Sequence, residues 1–213
     1  MKSFIKQDYP NLLGSITISC NDIEQAIKNY PLSFSETRNE TVEWGMEFPM
    51  FLTPFYKYVY QTNKLLKQEE FWKYYLSENK EFFSTNNFSQ TILDGLKARV
   101  YRTYPSLVRD IHFATFLKKE FTESEIIYNR KLDVEEGIDV LIVYADRYWG
   151  INLYTNTKRA HQGRKKKESR HTKFENVNYI ELPVDFKGSV VCGKFFLYGE
   201  KEYKEILSAL KQQ

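Results

Sequence analysis

Cysteine is scarce in this chain. Cys20 and Cys192 are the two it contains, and their distance in sequence excludes both a disulfide framework and a paired thiolate metal site. Histidine is limited to His112, His161 and His171. His161 and His171 bracket a basic stretch, but two imidazoles without a third ligand do not make a zinc site. His112 follows Asp110 in a helical pattern and reads as structural. Cys20 has no histidine partner, so no thiol nucleophile is expected. No phosphate-binding glycine loop, dinucleotide fingerprint or nucleophile elbow occurs. No apolar run approaches the length of a membrane span, and the opening MKSFIKQDYPNLLG lacks a hydrophobic signal core. A soluble, cytoplasmic protein without a membrane partner is expected. The sequons at Asn39 and Asn87 then carry little weight. Internal repeats and long low-complexity linkers are absent too. Nor is one sign of charge in large excess: 31 Lys and Arg face 28 Asp and Glu, for a net +3. The molecule as a whole is no polycation.

What is present is unevenly placed. The 213 residues make one large domain or one and a half small ones. An apolar fraction of 42% supports an ordinary core, and 16% aromatics suit both a core and stacking on bases. Cations concentrate in one stretch: Lys158, Arg159, Arg164, Lys165, Lys166, Lys167, Arg170 and Lys173 stand against the single acid Glu168. Such clustering says more about a partner than net charge does.

The first half reads helical. Asp22 is expected to cap a short helix containing Ile23, Ala26 and Ile27. Pro54 opens FYKYVYQTNKLLKQ from the first helical position. EEFWKYYLSENKEFF, residues 69 to 83, carries aromatics at helical spacing. Ser89 caps TILDGLKARVYRTY, and Pro105 starts a separate helix with Leu107, Ile111, Ala114, Phe116 and Leu117 inward. After Phe121 the period shortens. Residues 125 to 131 suit a strand, and Glu135-Glu136-Gly137 signals a turn. Ile138 to Tyr144 is apolar almost throughout, as in a strand buried on both faces. Ala145-Asp146-Arg147 turns the chain into a third strand, 150 to 158. A fourth strand, 177 to 182, ends at Pro183. A fifth spans 190 to 198, and a helix over 200 to 210 closes the chain. The short connections make strands one to three an antiparallel meander, with the fourth joining the other side after a longer connection.

Asp139 heads the apolar strand, and Lys158 ends the next one immediately before the cationic stretch. An acid able to hold a divalent cation, a lysine on a neighbouring strand and a cationic flank together point to chemistry on a phosphodiester. Each feature also has a plain reading, as a turn-flanking acid, a strand-end cation and a solvated charge run. Their joint order along the chain is what favours the functional one.

Over residues 105 to 182 the order helix, three-strand meander, crossover, strand resembles the PD-(D/E)XK nuclease superfamily, the restriction-endonuclease-like fold. Gly137-Ile138-Asp139 matches the first acid of that motif. Asn156-Thr157-Lys158 falls where the second acid, the spacer and the lysine stand. The resemblance implies Asp139 and Asn156 as metal ligands with Asp110 or Glu120 from the preceding helix, and Asp139, Asn156 and Lys158 as the catalytic set. An amide at position 156 supplies a neutral oxygen in place of a charged one, which weakens metal binding. Asp133, Glu135, Glu136 and Asp146 are nearby acids able to compensate.

The expected protein is therefore α/β, with a helical region over 1–104 and a nuclease-like core with its C-terminal helix over 105–213. The expected activity is that of an endonuclease using Mg²⁺ or Mn²⁺ on nucleic acid, DNA foremost, in restriction or phage defence by family analogy. Arg159, Arg164, Lys165, Lys166, Lys167, Arg170 and Lys173 are the expected nucleic-acid contacts. For duplex DNA cut on both strands, a homodimer is the simple geometric answer. The alternatives are a degenerate module that binds nucleic acid or a protein without cutting, favoured by Asn156, and an interaction protein with no nucleic-acid role.

Overall fold

The apolar run after Asp139 becomes an inner strand of a four-stranded sheet. The computed structural model describes residues 2–33, 37–157, 173–187 and 189–212. Strand β1 (Glu125–Ile127) pairs antiparallel with β2 (Val140–Tyr144), and β2 pairs antiparallel with β3 (Arg147–Thr155). Strand β4 (Val177–Val184) runs parallel to β3 on its free side. This is the meander and returning strand of a restriction-endonuclease-like core, placed after a helical half. The turn between β2 and β3 puts Ala145 and Asp146 at φ +48° and +59°, the paired left-handed geometry that suits a two-residue hairpin.

Alternation divides the sheet between two cores. Val140, Ile142, Trp149, Ile151, Leu182 and Val184 join the main core, where Leu107, Val108, Ile111 and Ala114 cover them. Ile127, Leu141 and Val177 face the other way, against Phe4, Tyr9, Leu132 and Phe174. Phe4 is tied there from both sides: its N–H donates to Asn176 Oδ1 at 2.7 Å, and Asn176 Nδ2 donates to its carbonyl at 3.0 Å.

Among the described residues the α-helices are α1 (Cys20–Lys28), α2 (Leu52–Thr62), α3 (Gln68–Glu78), α4 (Lys80–Asn86), α5 (Gln90–Glu120), α6 (Arg130–Glu135) and α7 (Glu200–Lys211). Several differ from the sequence expectation. Ser19, not Asp22, caps α1, with Asp22 completing the reciprocal pair three residues on. Pro105 does not start a helix. It lies inside α5, which runs unbroken for 31 residues. A mid-helix proline strips the carbonyl four residues earlier of its donor. Here Gln68 Nε2 supplies a replacement, donating to Tyr101 O at 3.1 Å. The strand expected over 125 to 131 stops at Ile127, because Asn129 accepts from the N–H groups of Lys131 and Leu132 and starts α6 instead. Pro183 lies within β4 rather than ending it, as an edge strand permits. The single strand expected over 190 to 198 is a hairpin, β5 (Val190–Cys192) and β6 (Phe195–Leu197). It turns at Gly193, φ +59°, where a Cβ would sit 2.5 Å from the Lys28 carbonyl oxygen.

The expected division between residues 104 and 105 falls inside α5. One apolar cluster joins Ile23, Phe55, Phe71 and Tyr75 of the first half to Ile111, Ile142, Leu182 and Ile206 of the second. Among the described residues no helix is long and apolar enough to cross a membrane.

Candidate active site

Arg99, Thr103, Ser106 and Arg109 recur along α5 at steps of three or four residues, and Asp110 stands four beyond Ser106, so all lie along one helical face. That face forms one wall of a cavity of about 940 Å³. The segment Met46 to Leu52 forms another. Asp133 and Val134 of α6, Asp139, residues Leu153 to Thr155 and Tyr198 complete the lining. Helix α5 also holds the chain leading into the Met46 wall. Arg99 Nη1 donates to Val42 O at 2.6 Å, and Arg102 pairs with Glu43.

Asp139 is placed by its neighbours on both sides. Gly137 takes φ +71°, which glycine adopts without strain. The N–H of buried Ile138 then donates to Leu132 O at 2.9 Å. The Asp139 N–H donates to Ile151 O at 3.1 Å, and its Oδ2 accepts from the Leu153 N–H at 2.6 Å. The carboxylate is thereby pinned to β3 through one oxygen. A narrower recess beneath brings Asp110, Asp133 and Asp139 together with Tyr128 and Tyr198.

Both tyrosines stay protonated through the neutral range. Burial pushes the Tyr198 hydroxyl well above the usual phenol value. Arg109 opposes that shift, while Asp110 and Asp139 add to it. Burial does the same to Tyr128, reinforced by Asp133 and Asp139, and Tyr128 donates its hydroxyl hydrogen to Tyr56. The acids therefore neighbour neutral phenols rather than further negative charge.

Among the described residues the lining offers carboxylate, hydroxyl and carbonyl oxygens, the ligand type that suits a hard cation such as Mg²⁺ or Mn²⁺. Among the described residues, no three His, Cys, Asp or Glu side chains are grouped closely enough to hold a metal ion by themselves. That is no obstacle for Mg²⁺, which is commonly held by one or two carboxylates completed by water and substrate phosphate.

Of the residues singled out in the sequence, Asp139, Asp110 and Asp133 meet at this cavity. Asn156 does not line it. Asn156 is exposed beyond the end of β3, and its N–H donates to Val184 O at 2.8 Å. Glu120 and Asp146 lie elsewhere, at the end of α5 and in the β2–β3 turn. Burial would push Glu136 up, but hydrogen bonds from Lys2 and Tyr9 outweigh it and hold this acid low. His112 bonds Glu24 on α1 at 2.9 Å and does not line the cavity. Lys158, Arg159, Arg164, Lys165, Lys166, Lys167 and Arg170 lie outside the described residues, as do His161 and His171. Lys173 is exposed, with its Nζ 5.0 Å from the centre of the Tyr179 ring. Sequence reasoning missed Arg99, Thr103, Ser106, Arg109 and Tyr198. The signal for the first four was a polar repeat at helical spacing along α5.

The family model of the TaqI restriction endonuclease matches residues 3–188. Neither the curated proteins nor the solved structures yield a match to the chain.

Proposed function

The chain belongs to the TaqI restriction endonuclease family, and on that premise we propose that it hydrolyses DNA phosphodiesters in the cavity between α5 and the sheet, using Mg²⁺ or Mn²⁺. The family makes it an endonuclease acting on DNA. The cavity is assigned as the cutting site on one observation, the joint placement of Asp139 and Asp110 in its lining. The strand order and Gly137-Ile138-Asp139 support a divergent PD-(D/E)XK motif.

Asp139 and Asp110 are the residues proposed to hold the cation, with Asp133 close by. The cation, when bound, polarises water and phosphate oxygens at neutral pH. The protein's own contribution is positional. The Leu153 N–H fixes the Asp139 carboxylate, and the Tyr198 hydroxyl remains a donor. Water adds its oxygen to phosphorus and gives up a proton, and the departing ester oxygen gains one as its bond to phosphorus breaks. Lys158 is proposed to stabilise the extra negative charge. Asn156, outside the cavity lining, is given no ligand role. The cationic stretch from Arg159 to Lys173 is proposed to track the phosphate backbone, and a homodimer to cut both strands. Restriction of phage DNA is the biological setting proposed.

The test is incubation of purified protein with plasmid, single-stranded DNA and RNA, each with Mg²⁺, Mn²⁺ or EDTA. Cutting of duplex DNA with either metal and none with EDTA is expected. Absence of a ready three-carboxylate cluster among the described residues favours the second reading, a module that binds DNA without cutting. Retained DNA binding without cleavage in either metal would establish that reading instead.

A further inference from the structure

Arg109 is the cavity residue whose surroundings are least explained by packing. Its guanidinium carbon lies 4.8 Å from the centre of the Phe186 ring and 4.9 Å from that of Tyr198. The two rings and a hydrogen bond between Arg109 and the Tyr198 hydroxyl hold the cation in place. Its Nε is sealed from solvent without a hydrogen-bond partner among the described residues. No carboxylate of the described residues forms an ion pair with it, although Asp110 is its chain neighbour. A half-buried cation without a carboxylate partner is costly in a folded protein. It becomes favourable when an anion arrives.

The rest of the cavity says which anion. Asp110, Asp133 and Asp139 share the lining with Arg109. A carboxylate ligand would gain nothing there that an ordinary ion pair does not offer. A phosphodiester entering to be cut brings negative charge into a lining that holds these acids, and a cation fixed in that lining favours its entry beside the metal. A guanidinium held in place presents paired N–H donors that match two phosphate oxygens.

We propose that Arg109 grips the phosphate being cut, held in its working orientation by Phe186 and Tyr198. This rests on the nuclease reading of the cavity and adds to it the residue that seats the substrate. It also gives the β5–β6 hairpin a purpose. Tyr198 directly follows β6, so the hairpin sets one jaw of the clamp.

The experiment compares wild type with Arg109→Met, which keeps the aliphatic body, and Arg109→Lys, which keeps the charge but not the fork. Duplexes carry either a natural phosphate or one methylphosphonate at the position where the wild type cuts. Single-turnover cleavage of natural duplex should fall about 100-fold or more in Arg109→Met, as when a donor to a developing oxyanion is removed, and less in Arg109→Lys. Affinity, measured in Ca²⁺, should drop for the wild type when the methylphosphonate is introduced. It should drop little further for Arg109→Met, because the partner is already missing. A merely structural arginine would not produce that non-additivity. Wild-type cleavage with an unimpaired Arg109→Met, or an equal methylphosphonate penalty in both proteins, would overturn the proposal and leave the nuclease reading standing. A wild type that neither binds nor cuts DNA would overturn both. Should Arg109→Met not fold, Arg109→Lys carries the same comparison.

Discussion

Gln68 donates its side-chain N–H to the Tyr101 carbonyl, the acceptor that Pro105 leaves without a helical partner. The same buried amide accepts from the Ser33 N–H at 2.8 Å and donates to the Ser33 carbonyl at 3.0 Å. Gln68→Leu would leave these backbone groups unpaired, at about 1–3 kcal/mol for each one buried. A loss of about 2–4 kcal/mol in urea unfolding is expected. In a Pro105→Ala background the residue at 105 again has an N–H for Tyr101, so the same substitution should cost less. Equal costs in the two backgrounds would show that the proline is irrelevant to Gln68.

At the site, Asp139→Asn is a cleaner variant than Asp139→Ala. It keeps an oxygen for the Leu153 N–H and removes only the charge. Cleavage should fall at least about 100-fold with the thermal midpoint preserved, since the carboxylate charge is what holds a cation against the developing phosphate charge. Asp110→Asn should lower activity in the same direction. Asn156→Ala should leave cleavage within about three-fold, the range expected of an exposed position. A large loss from Asn156→Ala would return position 156 to the ligand set.

Neutralising Arg164, Lys165, Lys166 and Lys167 to glutamine should weaken binding to all duplex sequences alike, because phosphate contacts carry no base information. With all four on phosphates, the slope of log affinity against log salt should fall in magnitude by about three to four. An unchanged slope would leave the stretch as a solvated charge run.

His112 supplies a pH dependence of stability. Burial lowers its pKa below the ordinary 6.5, against the opposing pull of Glu24. Among the described residues its Nδ1 has no hydrogen-bond partner, so a second ring proton finds no acceptor among them. The unfolded chain therefore binds the proton more readily than the native one does. The stabilisation is present in full above about pH 6.5 and is lost as pH falls below it toward the folded value. Wild type should lose stability between about pH 7 and 5 more steeply than His112→Gln in urea unfolding. Parallel curves would remove His112 as the cause.

The sheet was legible because its strands are short, apolar and punctuated. Ile138 to Tyr144 can bury both faces, and the turn at Ala145-Asp146 separates it from the next run. The length of α5 was not legible, because the residue that repairs Pro105 comes from Gln68, far away in sequence. Likewise, Asn129 turned an expected strand into α6 through two local backbone bonds that period counting does not register. Of the candidate site, Asp139 and Asp110 could be read as acids at topologically meaningful places. Arg109 and Tyr198 could not. Their meaning comes from the β5–β6 hairpin folding over α5, a contact without a sequence pattern.

The cover on the sheet's outer face links an early-made segment of the chain to a much later one. Phe4 and Tyr9 leave the ribosome before any strand exists, yet Phe174 and Asn176 are translated well after β3. Until then Ile127 and Leu141 have only part of their cover. Contacts between residues this remote in sequence form late in folding. A polypeptide released before Asn176 would thus carry Asp110 and Asp139 without β4 or Tyr198 to complete the cavity around them. Abortive translation products would hold the acids of a DNA-cutting protein but not its assembled blade.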